Sequence, residues 1–134
     1  MLWQYIQFMG QRILVVEDHE DIREILGAML AHFKFDVVTV QTAEEMFERL
    51  PEVDPDLIVL DIRLPGMDGC HALSILRSNG FSKPIFLYSE SYDLFADKIR
   101  SCKPDGFFPK SKGPLVLLEG IRHRLGAAAQ GLQT

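Results

Sequence analysis

The chain has 134 residues, of which 47% are hydrophobic and 25% are charged, and its formal net charge is −5. This length and composition are typical of one soluble globular domain, and no apolar run reaches the about 20 residues that a membrane-spanning helix needs. Cys70 and Cys102 are too few for a disulfide framework and match no zinc-type Cys/His spacing, which favours a reducing cytoplasm. The N-terminal segment lacks a basic residue before its apolar part, which argues against a secretory signal.

The charge is distributed unevenly along the chain. Residues 1–78 hold 14 acidic and 6 basic side chains, whereas residues 79–134 hold 5 acidic and 8 basic ones. The acidic half argues against binding of a nucleic-acid backbone by the domain. Two interpretations stay open at this point, an unevenly charged solvated surface and an acidic pocket that binds a cation.

Strand-like and helix-like segments alternate five times along the chain. Short β-branched runs predict strands, and apolar residues at intervals of three and four predict helices. In chain order, the prediction has a strand at 12–18, a helix at 22–33, a strand at 35–41, a helix at 43–50, a strand at 56–61, a helix at 72–79, a strand at 84–89, a weaker helix at 94–102, a strand at 106–110 and a helix at 114–125. The apolar stripe of the first helix comprises Ile22, Ile25, Leu26, Met29, Leu30 and Phe33. Thr42 and Glu45 form a capping-box pattern, and Pro51 and Pro55 are expected to bracket a loop.

This alternation predicts an α/β fold. Strands that are apolar on both faces and alternate with helices indicate a doubly wound parallel sheet, with helices on both sides and right-handed crossovers. We expect one domain at residues 11–126, an N-terminal extension at 1–10 and a C-terminal tail at 127–134. In such open sheets the functional site lies beyond the carboxyl ends of the strands, where the strand order reverses.

Polar side chains stand at the carboxyl ends of four predicted strands. Glu17 and Asp18 end the first strand, Asp61 the third, Ser89 the fourth and Lys110 the fifth. If these ends converge, three carboxylates repel one another, and a hard cation such as Mg²⁺ would relieve the repulsion. Asp18 and Asp61 fit direct ligands, and Glu17 fits a ligand through water. A carboxylate beside Mg²⁺ and a lysine can also attack phosphorus, with Ser89 adding a hydrogen bond, so the pattern predicts a phosphoryl-accepting site.

Three segments together resemble the receiver domain of bacterial response regulators. ILVVEDHE, PDLIVLDIRLPGMDG and DGFFPK have that family's order and spacing, and the resemblance extends from about Gln11 to Leu125. It implies a five-stranded, flavodoxin-like (βα)5 three-layer sandwich with strand order 2-1-3-4-5. The reversal would then fall between the first and third strands, where Asp18 and Asp61 stand.

The resemblance also implies a role for each site residue. Asp61 would be the phosphoacceptor, and the residues that hold Mg²⁺ would be Glu17 through water, Asp18, Asp61 and the backbone carbonyl of Arg63. Ser89 would sense the phosphoryl group and Lys110 would pair with it. Phe107, three residues before the lysine, occupies the aromatic switch position of the family, where tyrosine is frequent.

The implied function is a signalling switch rather than an enzyme. A histidine kinase or a histidine phosphotransfer protein would phosphorylate Asp61, and the surface formed by the last two helices and the fifth strand would change. The expected partners are that donor, a downstream protein or output domain, and a second copy in a homodimer. No nucleic acid or membrane binding is expected of the domain itself. The chain is expected in the cytoplasm, either as a stand-alone receiver or as part of a longer protein, with slow self-dephosphorylation.

Two departures from the family pattern keep alternatives open. Glu90 follows Ser89 where a small residue is usual, and Ser111 follows Lys110 where proline is common. They are compatible with an interaction module that keeps the fold but is not phosphorylated. A phosphohydrolase of the haloacid dehalogenase type is disfavoured, because Arg63 stands where such enzymes place a second aspartate.

Overall fold

The structure is a computed structural model that describes residues 10–90 and 92–133, with side chains through residue 126. Its helices and strands are β1 (Arg12–Val16), α1 (Glu20–His32), β2 (Asp36–Val40), α2 (Ala43–Val53), β3 (Leu57–Leu60), α3 (Gly69–Ser78), β4 (Ile85–Ser89), α4 (Ala96–Cys102), β5 (Gly106–Pro109) and α5 (Pro114–Gln133). Short 3-10 turns precede α4 at Tyr92–Phe95 and α5 at Lys110–Lys112.

The five strands form one parallel sheet in the order β2-β1-β3-β4-β5. This order confirms the predicted fold class. β1 pairs with β2 on one side and with β3 on the other, so the chain order reverses between β1 and β3. Crossover helices can cover both faces of such a sheet, which explains why the central strands are apolar throughout.

Alternate residues of each strand point to opposite faces and build two hydrophobic layers. One layer packs strand residues such as Leu14, Ile58 and Leu87 against α2, α3 and α4. The other packs residues such as Val15 and Val59 against α1 and α5. In the described residues no helix has both the length and the apolar character needed to cross a membrane.

Two local predictions were wrong. Pro51 lies inside α2, which continues to Val53 before Asp54 ends it in a left-handed conformation (φ 45°). Burial of Val53 in the core and a hydrogen bond from Asp54 N to Leu50 O offset the N–H that proline lacks. Ile25, counted in the apolar stripe of α1, is 54% exposed, because that stripe is wider than the face that meets the sheet.

The predicted domain boundaries at the two chain ends are not tested by the structure. Residues 1–9 of the expected extension lie outside the described residues. The backbone of α5 continues to Gln133, through most of the segment that was expected to be a C-terminal tail. The boundaries 11–126 therefore stay a prediction.

Candidate functional site

The polar residues predicted at the strand ends meet at one edge of the sheet. Glu17 N donates to Val40 O of β2 (3.0 Å), while Asp61 N donates to Val16 O of β1 (3.1 Å). Glu17 and Asp61 therefore follow β1 and β3, the two neighbouring strands between which the chain order reverses. At such a point the connections after the two strands run in opposite directions and leave a crevice beyond the strand ends, which is where ligands bind in doubly wound folds.

Asp61 is 4% exposed, and both of its carboxylate oxygens are bonded. Oδ1 accepts hydrogen bonds from Ser89 Oγ (2.6 Å) and Arg63 N (3.3 Å), and Oδ2 accepts one from Lys110 Nζ (2.8 Å). Ser89 Oγ in turn accepts a hydrogen bond from Ile62 N (3.4 Å). These bonds hold one carboxylate in a fixed orientation, as a nucleophile requires.

Lys110 lies between two buried carboxylates. Its Nζ is 2.7 Å from Glu17 Oε1 and 2.8 Å from Asp61 Oδ2. Burial alone would lower the pKa of Lys110, but the hydrogen bonds to Asp61 and Glu17 outweigh burial and raise that pKa. Lys110 therefore stays positively charged at neutral pH and can form an ion pair with an anionic group that binds at this edge of the sheet.

Glu17 is 2% exposed and carries a raised pKa, caused mainly by burial and further by the charge of Asp61. Its Oε2 accepts a hydrogen bond from His19 N (3.0 Å). Arg23 donates to the carbonyl oxygens of Glu17 and Asp18, at 3.0 Å each, and ties the β1–α1 loop to α1. The sequence reasoning missed Arg23, because an arginine in the first turn of a helix has no distinctive spacing.

The carboxylates of Glu17, Asp18 and Asp61 can each place one oxygen within 4.8 Å of the other two. Glu17 and Asp61 are buried, whereas Asp18 is exposed at the mouth of the crevice. Three hard oxygen donors with a single ammonium group between two of them leave excess negative charge, and Mg²⁺ prefers such ligands. The acidic pocket therefore fits a phosphoryl-accepting aspartate site that works with Mg²⁺.

The rim of the crevice carries a second charged contact. Arg63 Nη1 lies 3.4 Å from Glu90 Oε1, and both side chains are largely exposed. The Arg63 guanidinium also lies over the ring of Phe95, 5.9 Å from its centroid. Glu90 thus contacts Arg63 at the surface, and a groove lined by Asp18, Arg63, Pro65, Phe95 and Lys98, among others, leads away from this rim.

Phe107 lies in β5, three residues before Lys110. Its ring is half-buried against the core layer beneath α4, and it meets the ring of Tyr92 edge to face, with the centroids 5.5 Å apart. Tyr92 belongs to the 3-10 turn that follows β4, and it is 39% exposed. This ring pair joins the segment after Ser89 to the strand before Lys110.

Comparisons with known proteins agree with this geometry. The family model described as the response regulator receiver domain matches residues 13–122. Alkaline phosphatase synthesis transcriptional regulatory protein PhoP of Bacillus subtilis is 36% identical, over 68% of this chain and 38% of PhoP. DNA-binding response regulator MtrA of Mycolicibacterium paratuberculosis is 31% identical, over 87% of this chain and 52% of MtrA. The chain thus spans about half or less of the length of these relatives.

Solved structures agree as well. The BeF3-activated N-terminal receiver domain of RstA from Klebsiella pneumoniae is 29% identical, with a TM-score of 0.77 over 86% of this chain and 98% of that domain. Response regulator TrrA of Thermotoga maritima, in complex with Mg²⁺-BeF, is also 29% identical, with a TM-score of 0.76 over the same shares. Both were captured with a beryllium fluoride species, and the second with Mg²⁺.

Proposed function

The chain belongs to the response regulator receiver domain family, and we propose that Asp61 is the residue that accepts the phosphoryl group. The observation that carries this proposal is the environment of Asp61. It is a buried carboxylate, bonded to Ser89 and Lys110, beside the further carboxylates of Glu17 and Asp18. Of the carboxylates in this pocket, Asp61 is the one with both a cationic and a hydroxyl partner.

Phosphoryl transfer needs alignment and positive charge more than covalent help from the protein. We assign Mg²⁺ to Glu17 through water, to Asp18 and Asp61 directly, and to the backbone carbonyl of Arg63. When bound, Mg²⁺ would neutralise charge on the phosphoryl oxygens. An Asp61 oxygen would form the bond to phosphorus while the bond from phosphorus to the donor breaks. Lys110 would then pair with a phosphoryl oxygen rather than with the carboxylate.

The signal would pass from Asp61 through Ser89. Its hydroxyl now donates to Asp61 and accepts from Ile62 N, so a phosphoryl group that recruits this hydroxyl would alter both bonds. Ser89 ends β4, and Tyr92, three residues later, packs its ring against that of Phe107 in β5. We infer a two-state shift of the surface formed by α4, β5 and α5, with Phe107 as the switch residue, biased by contacts to the phosphoryl group.

Partners and location follow from the same proposal. The donor would be a histidine kinase or a histidine phosphotransfer protein in the cytoplasm, which would dock over the open groove. The readout would be a downstream protein, an output domain or a second copy of the chain. Water would remove the phosphoryl group slowly, without dedicated hydrolase activity. Relatives such as MtrA are DNA-binding response regulators by name, and we assign no nucleic acid contact to residues 11–126 themselves.

The test is phosphorylation by a small donor. We expect acetyl phosphate with Mg²⁺ to add the mass of one phosphoryl group to the wild-type chain, and chelation of Mg²⁺ to prevent the addition. Asp61→Asn, which keeps the shape of the side chain, should stay unmodified, and Asp18→Asn should react more slowly. Beryllofluoride should shift the Tyr92 and Phe107 resonances of the wild type only.

Three outcomes would contradict the proposal in different ways. Persistent modification of Asp61→Asn would remove Asp61 from its role. Failure of acetyl phosphate, beryllofluoride and a panel of histidine kinases would favour an interaction module that is not phosphorylated. Rapid multiple turnover of the donor would favour a phosphohydrolase.

Glu90, which contacts Arg63 at the rim, could restrict the access of small anionic donors to Asp61 by its charge. If Glu90 slows small anionic donors by its charge, Glu90→Gln should react faster with acetyl phosphate than the wild type. Because Arg63 partly neutralises this carboxylate, we expect the increase to be modest. Equal rates would show that Glu90 has no electrostatic role in access to Asp61.

A further inference from the structure

Two thiols meet between α3 and α4, away from the carboxylates. Cys70 lies in the first turn of α3 and Cys102 is the last residue of α4. Their sulfur atoms are 2.9 Å apart, and both residues are free cysteines. They must approach by less than about 1 Å to reach the S–S bond length of about 2.05 Å. Residues so far apart in the chain come this close only through the packing of the two helices.

The pair is buried but can be approached from one side. Cys70 is 6% exposed and Cys102 is 8% exposed. An open groove between α3 and α4 is lined by both cysteines together with His71, Ser74 and Lys98, among others. This groove gives a small oxidant such as hydrogen peroxide a route toward the two sulfur atoms.

We propose that Cys70 and Cys102 are a redox-active thiol pair, which a peroxide converts to a disulfide that links α3 to α4. The Cys102 sulfur attacks one peroxide oxygen, the O–O bond breaks, and a sulfenic acid and one water result. The Cys70 sulfur then attacks the Cys102 sulfur, the S–S bond forms, the S–O bond breaks, and a second water leaves. Two thiols lose two electrons and two hydrogens in all, and one peroxide is reduced to two waters.

The ionisation of the two thiols agrees with this order of attack. Burial raises the pKa of Cys70, and its contact with Cys102 raises it further. Burial also raises the pKa of Cys102, but a hydrogen bond from the Cys70 thiol, which the Cys102 thiolate would accept, acts in the opposite direction. Cys102 is therefore the easier of the two to ionise, and the raised pKa values predict slower oxidation than that of an exposed thiol.

The linked helices both border the phosphoryl site. Gly69, next to Cys70, donates its N–H to the carbonyl oxygen of Ile62 (2.8 Å), and Ile62 is the residue that follows Asp61. Asp68 caps α3 and pairs with Lys98 of α4 at 3.3 Å. A disulfide would add a covalent link beside this weak ion pair and hold α4 against α3. This consequence rests on the proposed function, because it assumes that α4 shifts when Asp61 is phosphorylated.

The chemical step is tested on the whole chain, reduced and then treated with hydrogen peroxide. We expect the intact mass to fall by two hydrogen masses, a peptide that joins Cys70 to Cys102 to appear, and dithiothreitol to reverse both changes. In Cys102→Ala, the mass should not fall, and Cys70 should gain oxygen or stay unchanged.

Two results would overturn the pair. One is oxygen addition to the wild-type thiols without a linked peptide. The other is an unchanged thiol pair at peroxide concentrations that already oxidise the methionines of the same molecule. Because both readouts use the wild-type chain, they do not depend on whether a cysteine variant folds.

The coupling to signalling is tested by comparing oxidised and reduced wild type with acetyl phosphate and Mg²⁺. We expect a several-fold slower phosphorylation of the oxidised form, with recovery after reduction. Equal rates would overturn the coupling and leave the disulfide in place. If neither form is phosphorylated, the proposed function of Asp61 fails, while the mass measurement still decides the thiol pair.

Discussion

The central strand β3 and the edge strand β5 belong to one sheet but differ in burial. All four residues of β3 are buried, whereas all four residues of β5 are only half-buried. Asp61 directly follows β3, and Phe107 lies in β5. Asp61 thus follows a fully buried strand, and the predicted switch residue lies on a strand with fewer packing constraints. A switch needs both, because one residue must keep its geometry while another changes its surroundings at small cost.

The first prediction compares two glycines. A Cβ at Gly69 would lie 2.8 Å from Asp61 C and 2.9 Å from Ile62 Cα, so backbone beside the site would have to move. A Cβ at Gly120 would meet Cζ and Cε1 of Phe108, which are the far end of a side chain rather than backbone. We expect Gly69→Ala to lower the free energy of unfolding by about 3 kcal/mol and to slow phosphorylation.

Gly120→Ala is the matched control on the β5 side of the molecule. Alanine is the better helix former by about 1 kcal/mol, which offsets the adjustment of Phe108. Urea unfolding should therefore place Gly120→Ala close to the wild type. Equal losses in the two variants would contradict the difference in constraint between the two regions.

The second prediction concerns the charge between the buried carboxylates. Lys110→Met leaves Glu17 and Asp61 without their shared cation, and we expect a loss of about 3 kcal/mol in the absence of Mg²⁺. Added Mg²⁺ should restore part of this loss, since it would supply the missing charge. Lys112→Met, at an exposed position nearby, should change stability very little. Thermal unfolding of both variants, with and without Mg²⁺, measures these effects. A Lys110→Met protein that is as stable as the wild type without Mg²⁺ would show that the pocket does not need the Lys110 ammonium group to fold.

The third prediction concerns the ring pair. Phe107→Leu removes the edge-to-face contact with Tyr92 and should cost about 1 kcal/mol, while Asp61 should still be phosphorylated at a similar rate. The shift of the Tyr92 ring resonances on addition of beryllofluoride should become smaller. Phe108→Leu, whose ring packs against Phe86 in the opposite layer, is the control and should keep that shift. An unchanged Tyr92 response in Phe107→Leu would remove Phe107 from the switch.

The smallest effect is expected at the cap of α3. Hydrogen bonds from His71 N and Lys98 lower the pKa of Asp68 below its ordinary value of 3.8, although burial acts in the opposite direction. A lowered pKa stabilises the fold above the unfolded value, and this contribution is lost as the pH falls through the folded pKa. Asp68→Asn keeps an oxygen for the cap but loses the exposed ion pair, so we expect a cost of about 0.5 kcal/mol at pH 7.

The pH dependence makes that prediction specific. The stability difference between the wild type and Asp68→Asn should shrink below about pH 4, where the unfolded aspartate is protonated. Lys98→Met removes the same ion pair from the other side and should cost a similar amount at pH 7. A difference that grows on acidification would mean that the charge of Asp68 does not stabilise the fold.

Several features of the site could be predicted from the sequence because they depend on the strand ends. Glu17, Asp61 and Ser89 each stand at the carboxyl end of an apolar strand, and parallel strands bring their carboxyl ends to one edge. Their convergence is what the structure shows, while their individual roles stay predictions. Local patterns predicted the cap of α2 as well, where Thr42 accepts a hydrogen bond from Glu45 N (3.1 Å).

Other features could not be predicted, because each depends on how a segment packs in three dimensions. Pro51 normally ends a helix, but the burial of Val53 carries α2 past it. Arg23 contacts the acidic loop only because α1 starts directly beneath that loop. Glu90 turns to Arg63, which follows a different strand.

The sequence by itself determined the alternation of strands and helices and the polar residue at each strand end, because hydrophobic periodicity and residue type are local properties. Only the tertiary structure decided which of these groups touch. Lys110 lies between Glu17 and Asp61 because β1 and β5, which precede Glu17 and Lys110, lie on the two sides of the β3–β4 pair. Cys70 meets Cys102 because α3 packs against α4. Neither contact is encoded in the spacing of the residues, since both arise from the order of the strands and the packing of the helices upon them.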